Sequence, residues 1–310
     1  MNKLYPRLLS LVGIGSSMGV LWDGWWHVAV GRDQFWIPPH ILVYLSLVTI
    51  FIASFIGYRK TKLKEFKILY TLSLFVPISS ILDQIWHHFF GIENLLSPFV
   101  IWSPPHVLLF LLLFTIIIYI IKIATYEEDA LLKWFSECGL FASLLGLILI
   151  LVTPVYPLGS YHVLGFWGAG FVTLTWCTLV ILAQNKINRP GTALLVTIIF
   201  CFLCLFGPPT LVKPAVGIIM NDFYNPPIWL FAFSFIIPAI CLEILPVSKF
   251  VTKGFVSGLI SGLIFYFSVQ YLITVPSIQY GLQELLIAIS ASMLGGLVSG
   301  IIVKNDIIKI

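Results

Sequence analysis

Residues 104–123 read Pro-Pro-His-Val-Leu-Leu-Phe-Leu-Leu-Leu-Phe-Thr-Ile-Ile-Ile-Tyr-Ile-Ile-Lys-Ile. No formal charge appears in this run before Lys122. At 1.5 Å per residue it makes a helix about 30 Å long, which matches the hydrocarbon thickness of a bilayer. In lipid every backbone polar group must be satisfied within the structure, and a helix does this segment by segment. The short period-2 alternation of a membrane barrel is absent.

Comparable runs recur along the 310 residues, of which 59% are hydrophobic and 10% charged. A globular domain in water carries roughly a quarter charged residues. The sequence therefore predicts an all-α, polytopic transmembrane bundle of about ten spans. They lie near Leu8–His27, Pro38–Tyr58, Ile68–Phe90, Pro104–Ile123, Trp134–Val155, His162–Asn185, Thr192–Phe206, Pro227–Leu245, Gly254–Val275 and Leu282–Val303. Lys3 and Arg7 ahead of Leu8–Val20 resemble a signal peptide, but no small-residue cleavage pattern follows, so the segment reads as an uncleaved first span. The centres of the expected spans hold no ionisable residue, which weighs against an ion-coupled transport path.

Arg59–Lys67 is strongly basic, and Lys186–Arg189, Lys249–Lys253 and the tail with Lys304 and Lys309 are more weakly so. If spans alternate, these loops share one side, and the positive-inside rule makes that side cytoplasmic, with both termini on it. Membrane orientation thus accounts for the formal net charge of +4, and no nucleic-acid partner is expected. The five cysteines (Cys138, Cys177, Cys201, Cys204, Cys241) lie within apolar runs and read as small buried hydrophobes.

All six histidines then fall at outward ends of spans: His27, His40, His87, His88, His106 and His162. The nearby tryptophans read mostly as an interfacial belt. Two stretches repeat one constellation. The first has Asp23 and His27, a Gly31-Arg32-Asp33 turn, and Trp36-Ile37-Pro38-Pro39-His40. The second has Asp83, His87 and His88, a Gly91-Ile92-Glu93 turn, and Trp102-Ser103-Pro104-Pro105-His106. Residues i and i+4 share a helix face, so each Asp can point with its His at one centre. Proline fits the first helical turn, which fixes where the next span begins and puts His40 and His106 at the depth of the preceding pair.

Each hairpin thus offers two imidazoles and one carboxylate, with coordination positions left over for a small molecule or oxygen. Copper, iron and zinc all suit this set; the bland alternative is a polar cluster capping helix ends. His88 points about 100° from His87 and is expected to lie outside that centre. Arg32, Asp33 and Glu93 read equally as orienting groups or as wet loop residues. His162 reads as an interfacial histidine. Asn221-Asp222-Phe223-Tyr224-Asn225-Pro226-Pro227 echoes the Pro-Pro start without a histidine.

At these residues the chain resembles the C-subunit family of the copper membrane monooxygenases, the particulate methane and ammonia monooxygenases. Asp23, His27, Arg32-Asp33, Phe35, Pro38 and His40 resemble one copper site of that family. Trp86-His87 and Pro104-Pro105-His106 resemble its second site. Asp83 stands where the family more often has Asn, and the loop from His87 to His106 is longer. The resemblance covers roughly residues 1–125, a four-span metal-binding unit. It assigns no role to residues 126–310, expected as a six-span membrane unit.

The resemblance implies copper bound by Asp23, His27 and His40, and by Asp83, His87 and His106, at the extracytoplasmic face of the cell membrane. It further implies O₂-dependent oxidation of a small substrate of the ammonia, methane or short-hydrocarbon class, with Asp23, His27 and His40 catalytic. Beyond the lipid bilayer, partners would be other monooxygenase-type subunits or further copies of the chain. Two other classes stand beside this one: a non-catalytic membrane protein for copper storage, sensing or delivery, and an assembly subunit. The sets contain no methionine or cysteine, which leans away from Cu(I) delivery.

Overall fold

A computed structural model describes residues 3–29, 36–91, 102–152, 165–206, 235–246, 249–268 and 281–307. Among them are ten α-helices and no strand. They are α1 (Leu4–Ala29), α2 (Pro38–Thr61), α3 (Lys64–Phe90), α4 (Pro104–Ala124), α5 (Ala130–Val152), α6 (Gly165–Ile187), α7 (Thr192–Phe206), α8 (Ile236–Ile244), α9 (Phe250–Ser268) and α10 (Leu282–Lys304). Eight of these are long and apolar enough to cross a membrane. The chain is therefore multi-pass and built for a lipid bilayer. The exceptions are α7, with 15 residues, and α8, with 9. Most of the span expected at Pro227–Leu245 lies outside the described residues.

The described helices form two compact units, α1–α5 and α6–α10. Helix α5 belongs to the first unit because it packs on α1 and α4. Its helix also starts at Ala130, one turn before the expected Trp134. Glu137 consequently sits only about 6 Å along the axis from the middle of α5, 6% exposed. Span centres are thus less free of ionisable groups than the sequence implies.

In the first unit, α1 packs on α2, α4 and α5, and the chain runs α2 on α3 and α3 on α4. Two antiparallel hairpins result, α1–α2 and α3–α4. Local chemistry sets their ends. Ile37 (ψ 154°) and Ser103 (ψ 145°) are extended, as residues before proline must be, and Pro38 and Pro104 start the helices. At the far end Lys62 adopts φ 60° and donates its N–H to the Tyr58 carbonyl, turning α2 directly into α3.

Lipid tails are as apolar as leucine, so helices here associate through close packing and polar pairs more than through water exclusion. A Cβ on Gly19 would meet Val43 Cγ2 at 2.7 Å, so α1 and α2 approach closely one turn below Asp23. Away from the histidines, Arg7 clamps Glu127 with Nε to Oε2 at 2.8 Å and Nη2 to Oε1 at 3.0 Å. Glu127 Oε1 also accepts the backbone N–H groups of Glu128 and Asp129. The Arg7 guanidinium is the main reason that the Glu127 carboxyl is held down at about 2; burial opposes this and the two N–H groups assist. Lys60 Nζ lies 6.0 Å from the Tyr5 ring at the same end. The basic residues Arg7, Arg59, Lys60 and Lys62 thus gather at the end of this unit opposite the histidines.

In the second unit α6, α9 and α10 pack together and α8 lies on α9. A Cβ on Gly254 would sit 2.0 Å from the Gly296 carbonyl, and one on Gly258 would sit 2.4 Å from that of Ser292. This small-xxx-small contact brings α9 and α10 backbone to backbone. Ser299 Oγ donates to the Leu174 carbonyl at 2.8 Å and accepts from Thr178 Oγ1 at 3.0 Å, tying α10 to α6. Glu243 accepts backbone N–H groups of Gly191, Ala193 and Leu194 and so caps the start of α7. Lys253, 1% exposed, donates to the Leu242 carbonyl at 2.6 Å and to Gln184 Oε1 at 2.9 Å.

Candidate metal centre

The α3–α4 hairpin assembles the second constellation. Asp83 and His87 stand one turn apart near the end of α3, and His106 is in the first turn of α4. His106 Nε2 lies 3.1 Å from Asp83 Oδ1, and His87 Nε2 lies 3.3 Å from Asp83 Oδ2. The two imidazole rings meet edge to face, with centroids 6.1 Å apart. One donor atom from each residue lies within 4.8 Å of the other two, and this is the one such trio among the described residues.

These spacings can be tested against what an ion requires. Two donors on bonds of about 2.0–2.1 Å are about 3.3 Å apart at a tetrahedral angle and about 2.9 Å apart at a right angle. The two observed separations fall in that window, so the side chains need little movement to clasp one ion. Side-chain exposures of 14% to 21% leave the trio partly open. Three protein donors leave room for an exogenous ligand, as open catalytic metal sites require.

The α1–α2 hairpin brings together part of the first constellation. His40 Nε2 lies 3.1 Å from Asp23 Oδ1, with both side chains about one-fifth exposed. The side chain of His27 lies outside the described residues, as do Arg32, Asp33, Glu93, His162 and residues 221–227. One turn inside α2 the Tyr44 ring packs 5.8 Å from His40 and 6.5 Å from Trp36. The corresponding position in the second hairpin is Phe110, so the repeat is not chemically symmetric.

His88 stands outside the trio, its ring edge-on to Phe89 at 5.4 Å, as a 100° helical step requires. Two contributors were not evident from spacing. The Trp102 indole N–H donates to the Leu151 carbonyl at 2.8 Å and moors the start of α4 to the end of α5. A hydrogen-bonded anchor is more specific than membership of an aromatic belt. Gly91 closes α3 with φ 77°, its N–H on the His87 carbonyl and its own carbonyl 3.3 Å from His87 Nδ1. The five cysteines are free thiols, all on α5–α8 and none in the trio.

No protein-family model, curated protein or solved structure matches this chain.

Proposed function

We propose that this is a membrane metal protein in which Asp83, His87 and His106 hold one ion at the outer end of α3–α4. Asp23, His27 and His40 form a second set on α1–α2. The observation that carries the reading is the Asp83 carboxylate lying between two imidazole Nε2 atoms at 3.1 and 3.3 Å. The set is all nitrogen and oxygen, which suits copper, iron or zinc. The resemblance to the C-subunit family of the copper membrane monooxygenases selects copper, and with it oxidation of a small substrate by O₂.

When bound, copper would supply redox chemistry toward O₂. The chain's own residues would hold and orient it. Asp83 contributes charge, and the two histidines contribute neutral donors from two different helices. The proline-started α4 fixes His106 in depth. The Lys- and Arg-rich end of α1–α5 lies opposite, so the positive-inside rule puts the donor sets on the extracytoplasmic side. The amino terminus is then cytoplasmic.

The test is copper content of the purified protein in lipid nanodiscs, by mass spectrometry, for the wild type against His87→Ala/His106→Ala and His27→Ala/His40→Ala. Loss of about one ion per double variant is expected. Unchanged content in both would end the metal reading. Substrate oxidation dependent on O₂ and a reductant separates an oxidoreductase from a storage, delivery or assembly protein.

A further inference from the structure

We propose that Gly91 is a positioning residue. Its carbonyl fixes His87 in the Nδ1–H tautomer and so turns the Nε2 lone pair toward Asp83 and His106. The inference takes its purpose from the metal reading, but its geometry stands without a metal.

A carbonyl can only accept a hydrogen bond. The ring nitrogen 3.3 Å from Gly91 O is Nδ1 of His87, so the contact is a bond only when Nδ1 carries the proton. Nε2 of the neutral ring is then the acceptor, and it faces a carboxylate oxygen at 3.3 Å. Two acceptors face each other across that gap, an arrangement that a cation between them converts from repulsive to attractive. Histidines that bind metals are held in this way, by a carbonyl or carboxylate on the remote nitrogen.

The backbone makes this a property of glycine. Gly91 has φ 77° and ψ 178°, a region essentially closed to residues with a Cβ. In that conformation its N–H caps α3 on the His87 carbonyl at 3.0 Å while its C=O doubles back to the His87 ring. A Cβ built there meets nothing within 4 Å. The constraint is therefore the dihedral angle and not space. Alanine would have to change φ or ψ, which swings the carbonyl away without any clash or cavity.

The test uses ¹⁵N-histidine-labelled protein in nanodiscs at alkaline pH, with Zn(II) added as a diamagnetic ion between the facing acceptors and His87 assigned by loss of its signals in His87→Gln. Solid-state ¹⁵N shifts are expected to show protonated Nδ1 and unprotonated Nε2 in the wild type, and a mixture of tautomers in Gly91→Ala. Copper affinity at this hairpin is expected to fall about 10–100-fold in Gly91→Ala. The remote-nitrogen modulation in pulsed EPR of the Cu(II) form should shift as well. A wild type with protonated Nε2 overturns the proposal even if the variant does not fold. So does a Gly91→Ala protein with unaltered ring shifts. A wild type that binds no copper but holds the Nδ1–H tautomer would sink the metal reading and leave this one standing.

Discussion

Asp83 and His106 belong to different helices, yet Oδ1 of one lies 3.1 Å from Nε2 of the other. The contact depends on how far the start of α4 is carried along the His87 end of α3, and Pro104 and Pro105 set that. Asp83→Asn keeps the oxygen but removes the charge. Copper is expected to remain at this hairpin with affinity about 10-fold weaker or worse, roughly 1.4 kcal/mol or more. Competition with a chelator of known affinity measures it, and unchanged affinity would mean that the carboxylate is not a ligand.

Trp102 fixes the start of α4 from the side. Trp102→Phe keeps the ring and loses the indole N–H to Leu151. A loss of about 1 kcal/mol is expected, read as a lower unfolding temperature. Copper affinity should weaken at the α3–α4 hairpin only, leaving that of α1–α2 unaltered, because Trp102 moors α4 alone.

The Arg7–Glu127 clamp predicts a pH dependence. The Glu127 carboxyl is lowered from 4.5 to about 2 in the folded chain. Its contribution to stability is therefore fully present above about pH 4.5 and is lost as pH falls through about 2. Glu127→Gln should flatten the stability profile in that acid window. It should also lower the unfolding temperature at neutral pH, where the wild type has its full clamp. A thermal-shift series across pH in detergent checks both.

Close helix approach in the second unit predicts a large effect from one side chain. Gly254→Leu would drive atoms into the Gly296 carbonyl, which is backbone and cannot rotate away. Loss of about 3 kcal/mol or more, up to failure to fold, is expected, at or above the top of the roughly 1–3 kcal/mol usual for overpacking. A change on the outward face of α10, as in Leu294→Ile, should cost little because that side chain is 59% exposed. Size-exclusion profiles of the two proteins report the contrast.

Sequence by itself determined the solvent, the helical class and, to the residue, the helix starts at Pro38, Pro104, Thr192 and Leu282. It also marked candidate donors: Asp83 and His87 share a face because helical periodicity is local. Pro38-Pro39 and Pro104-Pro105 fix the next histidine by an equally local rule. Tertiary structure decided the rest. That Asp83 reaches both imidazoles depends on the crossing of α3 and α4. The moorings at Trp102–Leu151 and Arg7–Glu127 join residues far apart in sequence, and no periodicity encodes such pairs. Gly91 reads in sequence as a turn residue; only the dihedral angles show its carbonyl folded back on His87. Local rules place a side chain on a face, but packing between helices decides what that face meets.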